Sequence, residues 1–272
     1  MQMLRKLALA STVVALSLAH AEAQTTTSET YTPSVGQRGK DVVWVPTHQE
    51  LVDRMLEMAN INENDYVIDL GSGDGRTVIS VARLGARAHG IEYNPDLVAL
   101  SQRNAQAAGV AERATFVEGD IFKSDFSDAS VITLFLLPEL NERLRPILLD
   151  MKPGTRVVSN SFDMGDWKAD DQVRVEGDCQ SWCQAYKWVI PAKVAGEWTV
   201  GDGKLSLTQQ YQMLSGTLTI DGTEHPISDA KVEGTAISFL AGGTRYSGSI
   251  NGEQISGTTG AGENWTANRA AG

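Results

Sequence analysis

The chain has 272 residues, more than one average domain and fewer than three. Its 34 acids outnumber its 23 bases, for a formal net charge of -11. That argues against nucleic acid as the main partner, because phosphate backbones call for a basic footprint. Cys179 and Cys183 are too few for a disulfide scaffold, and no histidine stands beside them at zinc-ligand spacing, so no metal site is expected.

Residues 1–23 have the pattern of a cleavable signal peptide: Arg5 and Lys6, an uncharged run over 7–19, then Ala-x-Ala at Ala19–Ala21 and Ala21–Ala23. The apolar run falls short of the roughly 20 residues that span a bilayer, and no later segment reaches that length. The expectation is a periplasmic or secreted protein without a membrane span once the signal is removed. Residues 24–40 are rich in Thr, Ser, Gly and Gln and lack apolar periodicity, which predicts a flexible leader.

From 41 to 191, apolar runs alternate with helical patterns, as in a parallel sheet with crossover helices. Thr47 and Glu50 have capping-box spacing, ahead of a stripe of Leu51, Met55 and Met58. Strands are expected over 67–70, 88–92, 114–117, 131–136 and 156–159, and helices over 76–84, 95–108 and 139–149. Two extended runs, 172–175 and 186–190, flank the cysteines and read as an antiparallel hairpin added to the sheet. A disulfide between Cys179 and Cys183 is expected at the hairpin end, given an oxidising compartment.

From 195 to 272 helical patterns stop, and turn signals recur at Asp221-Gly222, Gly242-Gly243 and Asn251-Gly252. A Ser-Gly-Thr-like phrase also repeats. This predicts a small all-β barrel or sandwich module with a core of Trp198, Leu205, Leu207, Leu218, Ile220, Ile237, Phe239, Ile250 and Trp265. It carries no catalytic constellation and reads as a partner-binding unit or a cover for a sheet edge. Asn264-Trp265-Thr266 fits the N-glycosylation pattern, which has meaning only in a eukaryotic secretory route.

The densest signal is the loop Gly71-Ser72-Gly73-Asp74-Gly75 after the first strand. Its third glycine comes one residue earlier than in the dinucleotide fingerprint, and Asp69 and Asp74 would repel a pyrophosphate. The acids suit a cation. Glu92 ends the second strand, at the spacing of an acid that accepts ribose hydroxyls. Asp120 and Ile121 follow the third, where a carboxylate can accept from an adenine amino group.

These residues resemble the class I S-adenosylmethionine-dependent methyltransferases across the middle domain. The resemblance implies a Rossmann-like α/β fold with a seven-stranded sheet whose last strand is reversed. It also implies S-adenosylmethionine as methyl donor. Asp69, Gly71, Ser72, Gly73 and Gly75 would then surround the methionine part, Glu92 the ribose, and Asp120 and Ile121 the adenine. Val45-Pro46-Thr47, Leu136-Leu137-Pro138-Glu139 and the 162–167 segment are similar to a subgroup containing protein-lysine methyltransferases of mitochondrial membrane proteins. That makes a protein a candidate methyl acceptor. Those mitochondrial enzymes lack a C-terminal β module, so the likeness carries methyl transfer further than it carries lysine. Substrate-side candidates are Glu139, Asp163 and Trp167, with His48 as an outsider; each also has an ordinary reading as a helix-terminal, turn-capping, core or solvated residue. The residues single out no catalytic group. The expected function is an exported methyltransferase; the alternative is an exported S-adenosylmethionine-binding protein without turnover.

Overall fold

The computed structural model describes residues 31–270. The expected signal segment 1–23 and the leader as far as residue 30 lie outside the described residues. The rest of the leader departs from expectation. Residues 36–44 fold into a tight hairpin: Gly36 N–H donates to the Trp44 carbonyl and Trp44 N–H to the Gln37 carbonyl, both at 2.9 Å. Backbone bonds make this hairpin, so it leaves no apolar periodicity to read.

Helix α1 (Gln49–Met58) buries Leu51, Val52, Met55 and Leu56 against the sheet. The capping box at its start is not formed. His48 occupies the N-cap without a side-chain bond. The Thr47 hydroxyl instead accepts from Asn160 Nδ2 at 3.2 Å.

The following elements are β1 (Tyr66–Leu70), α2 (Arg76–Arg83), β2 (Arg87–Glu92), α3 (Pro95–Ala107), β3 (Ala114–Glu118), β4 (Val131–Leu134), α4 (Pro138–Leu149), β5 (Arg156–Asn160), β6 (Asp171–Arg174) and β7 (Gln184–Val189). They build a seven-stranded sheet in the order β3-β2-β1-β4-β5-β7-β6. The first five strands are parallel; β7 runs antiparallel between β5 and β6. Val67, Ile68 and Leu70 are all buried, as expected for a strand covered on both faces. Because β1 pairs with β2 on one side and β4 on the other, the crossovers diverge there, and a crevice opens above the strand C-termini. Cys179 and Cys183 form a disulfide with Cα atoms 5.8 Å apart in the β6–β7 link.

The second sheet comprises β8 (Gly196–Val200), β9 (Gly203–Gln210), β10 (Met213–Ile220), β11 (Thr223–Pro226), β12 (Ser228–Glu233), β13 (Ala236–Ala241), β14 (Thr244–Asn251), β15 (Gln254–Thr259) and β16 (Asn264–Arg269). All its pairings are antiparallel, and β9 pairs with β10 as well as β8, which closes the ring. β11 and β12 lie in sequence along one edge of β10, so the result is an eight-stranded barrel, not a sandwich. At Gly216 and Gly257 the repeated phrase has a steric cause: a Cβ there would stand 1.8 and 1.9 Å from the carbonyl oxygens of Ser206 and Ser247 on the neighbouring strands. Of the expected core, eight residues are buried and Ile220 is partly buried against them.

The barrel docks through the β9–β10 turn. Gln212 there is buried; it accepts from Trp167 Nε1 at 2.9 Å and donates to the Lys168 carbonyl at 2.7 Å. The Tyr211 ring stacks on Trp167 with centroids 5.8 Å apart.

Candidate functional site

A cleft of about 200 Å³ opens at the C-terminal ends of β1, β2 and β4. The glycine loop forms its floor. Gly73 has φ +55, in the left-handed region, and an added Cβ would meet Trp44 Nε1 at 2.8 Å. The loop is pinned from α3: the Ser101 hydroxyl donates to the Gly73 carbonyl at 2.8 Å and Asn104 Nδ2 to the Asp74 carbonyl at 2.9 Å.

The acids around the loop have different surroundings. Asp74 is held by Arg76, whose Nε and Nη2 reach its two oxygens at 3.0 and 2.6 Å. Its carboxylate therefore faces a cation of the protein's own. Asp69 is buried and accepts from the Thr133 hydroxyl at 2.6 Å. Burial pushes its pKa up to about 7, against the Thr133 bond and with help from the charges of Glu92 and Asp74. Glu92 accepts from Gly73 N–H at 2.9 Å on one oxygen and from Asn94 N–H at 3.0 Å on the other. Each oxygen keeps a further lone pair for a ligand hydroxyl. Asp120 accepts from Lys40 Nζ at 2.8 Å and from Phe122 N–H at 3.0 Å. The Lys40 bond holds the Asp120 carboxyl below its usual range.

Of the residues expected to hold the cofactor, Asp69, Gly71, Ser72, Gly73, Glu92, Asp120 and Ile121 line the cleft. Gly75 does not. It caps α2 with φ +81, and an added Cβ would meet the Phe116 ring at 2.7 Å, so this glycine serves helix–sheet packing. Three substrate-side candidates also lie elsewhere. Glu139 is in the first turn of α4 and is not among the lining residues. Asp163 is exposed and closes a turn by accepting from Gly165 N–H at 3.1 Å. Trp167 is 0% exposed and belongs to the core beside Trp188 and Tyr211. His48 is exposed at the start of α1.

Sequence reasoning missed two walls. The first is the hairpin, with Gly39 to Thr47 along the cleft and the Lys40 ammonium 4.9 Å from the centroid of the Tyr93 ring. The second is aromatic: Phe135, Phe162 and Trp182, which follow β4, follow β5 and interrupt the β6–β7 link. No sequence periodicity joins these three positions; only the sheet order does.

A cationic, adenosine-bearing ligand such as S-adenosylmethionine fits this donor set. Among the described residues, buried Asp69 has no cation beside it, and the buried Ser72 hydroxyl on the lining has no hydrogen-bond partner. The lining offers five acids, Asp41, Asp69, Asp74, Glu92 and Asp120, against Lys40 and Arg76.

Comparisons with known proteins agree. Residues 69–171 match the model of the ANTKMT methyltransferase domain family. A protein-lysine N-methyltransferase of Saccharolobus islandicus is 42% identical over 138 residues, which cover 50% of this chain and 86% of that protein. The adenine nucleotide translocase lysine N-methyltransferase of Mus musculus is 36% identical over 104 residues, which cover 38% of this chain and only 45% of that protein. Among solved structures, an RNA methyltransferase from Salinibacter ruber in complex with S-adenosyl-L-homocysteine is 52% identical, with a TM-score of 0.52, covering 55% of this chain and 96% of that one. With an RNA methyltransferase among its relatives, the chain's acidic composition alone does not exclude nucleic acid as a partner.

Proposed function

Since the chain belongs to the class I S-adenosylmethionine-dependent methyltransferases, with S-adenosylmethionine as methyl donor, we propose that it methylates a lysine side chain of a protein. One observation carries the choice of acceptor. The relative of which the chain covers 86% is named a protein-lysine N-methyltransferase.

When bound, S-adenosylmethionine supplies a sulfonium methyl carbon that an amine attacks in line, the electron pair of the breaking C–S bond staying on sulfur. The chain's own work is binding and orientation. Asp69, Gly71, Ser72 and Gly73 would hold the methionine part. Glu92 would accept from the ribose hydroxyls, and Asp120 and Ile121 would face the adenine. An acceptor amine gives its proton to water before attack. The test is incubation of the full chain with methyl-labelled donor and two acceptor pools, a protein extract and an RNA extract. Label recovered as methyllysine after protein hydrolysis supports the reading. Label recovered only in RNA, or donor binding without transfer to either pool, overturns it.

A second proposal concerns place. The export-type pattern over 1–23 and the Cys179–Cys183 disulfide both support work outside the cytosol. There the donor must be delivered, since it is made in the cytosol. Fractionation decides this: chain recovered outside the cytosol and beginning just after Ala21 or Ala23 supports export, and full-length chain confined to the cytosol with two free thiols overturns it.

A further inference from the structure

Trp182 is a large apolar side chain in an unusual setting. It is 47% exposed, and its backbone has φ +60, in the left-handed region that Gly or Asn normally takes. The conformation is enforced from both sides, because Trp182 lies inside the short ring closed by Cys179 and Cys183, and Cys183 is itself buried. A strained residue held this firmly is a reason to ask what it does.

Its ring faces the cleft. The Trp182 centroid lies 5.2 Å from that of Phe162 and 6.2 Å from that of Phe135, and all three line the same cavity as Asp69 and Glu92. Phe162 is fixed in turn by α4: Asn141 Nδ2 donates to the Phe162 carbonyl at 3.2 Å and to the Asp163 carbonyl at 3.1 Å. Three rings from three segments thus meet at one end of an acidic cleft in which both bases are already paired, Lys40 with Asp120 and Arg76 with Asp74.

We infer that Trp182, positioned by the Cys179–Cys183 disulfide, completes an aromatic seat with Phe135 and Phe162 that selects an alkylammonium side chain as acceptor. The inference rests on the lysine reading above and specifies how that substrate is recognised. Aromatic faces attract a cation through the ring quadrupole, and most strongly when water is excluded. The acids of the cleft add a favourable field for a cation and an unfavourable one for a phosphate. Opening the disulfide frees the ring at Trp182 and loosens the seat.

The full chain, saturated with S-adenosylhomocysteine, is titrated with Nα-acetyl-Nε-trimethyllysine amide and with its neutral tert-butyl isostere. The cation is expected to bind about fivefold tighter. Trp182→Ala abolishes that preference, Trp182→Phe keeps part of it, and S-adenosylhomocysteine affinity stays within about twofold in both. The Cys179→Ser/Cys183→Ser variant, or wild type under dithiothreitol, shows the same loss of preference. Equal binding of the two probes overturns the inference, as does a Trp182→Ala variant that binds the cation like wild type. Uridine binding that is lost in Trp182→Ala, without any preference for the cation, overturns it in favour of a stacked base. Failure of the lysine reading is seen separately: cation preference that depends on Trp182, with no methyllysine product, leaves the seat in place and removes the reaction.

Discussion

Asp69 joins the chemistry of the cleft to the stability of the protein. Its carboxyl is buried, with a folded pKa of about 7 against an ordinary 3.8. The folded state therefore holds its proton more tightly than the unfolded chain does. The stability this contributes is fully present below pH 3.8 and is lost as pH rises through 7. A bound ammonium reverses the preference, so donor affinity should climb between pH 5 and 7 by up to about tenfold per unit and then level off. In Asp69→Asn the climb should vanish, and affinity at pH 8 should fall about ten- to hundredfold, the loss of a charged partner. Calorimetric titration across that range checks both; a wild-type affinity that does not change with pH would show that Asp69 takes no part in binding. Asp69, Glu92 and Asp120 could be placed on the cleft from the sequence because each stands at or just after the C-terminal end of a strand, and strand ends are visible in a one-dimensional pattern. Trp44 and Trp182 could not be, since each reaches the cleft from a loop whose path is set by backbone bonds or a disulfide.

At the scale of elements, β1 is clamped at its start as well as its end. Asp65 accepts from the Ser130 hydroxyl at 2.7 Å, from Asn62 N–H at 2.9 Å, and from the Arg156 guanidinium. Burial alone would raise its pKa, but these bonds outweigh burial and hold it below the ordinary range. This ties β1, β4 and β5 together just below the strands that carry the cleft. Arg156→Met leaves a buried acid without its cation, so it should lower stability by about 2–4 kcal/mol at pH 7. For a group with a depressed pKa the contribution is present above the unfolded value and is lost as pH falls through the folded one. The penalty should therefore shrink in acid. Denaturant melts at pH 7 and pH 3 measure it, and an equal penalty at both would remove Asp65 as the cause. The helices and strands of this half were read from sequence to within two residues at most ends, because caps, glycines and apolar runs coincide. The capping box at Thr47 misled because the Thr47 hydroxyl is engaged by Asn160, a partner 113 residues away.

At the scale of the whole molecule, the two sheets meet through buried polar bonds. Gln212 reaches out of the barrel to satisfy the Trp167 indole and to donate to the Lys168 carbonyl at 2.7 Å. The two halves should therefore unfold in one calorimetric transition. Gln212→Ala leaves a buried indole N–H without an acceptor and should cost about 1–3 kcal/mol. Two separate transitions in the wild type would contradict this. Trp167 shows where reading by segment stops. Its segment pointed to the substrate side, but its surroundings are set by a turn in the barrel that no local pattern announces.

The hairpin at residues 36–44 has a consequence for time. Lys40 bridges to Asp120 across the end of the cleft where the adenine is expected, so opening of that ion pair is expected to limit ligand exchange. Occupancy and residence then become separate quantities. Lys40→Met should speed both arrival and departure of S-adenosylhomocysteine by roughly two- to fivefold while leaving the equilibrium constant nearly unchanged. Added salt should do the same to the wild type and nothing further to the variant. Stopped-flow traces that superimpose for the two proteins would mean that the hairpin does not gate exchange. If the rates differ as expected, ionic strength sets how long each product stays, and with it how many methyl groups the chain delivers per minute.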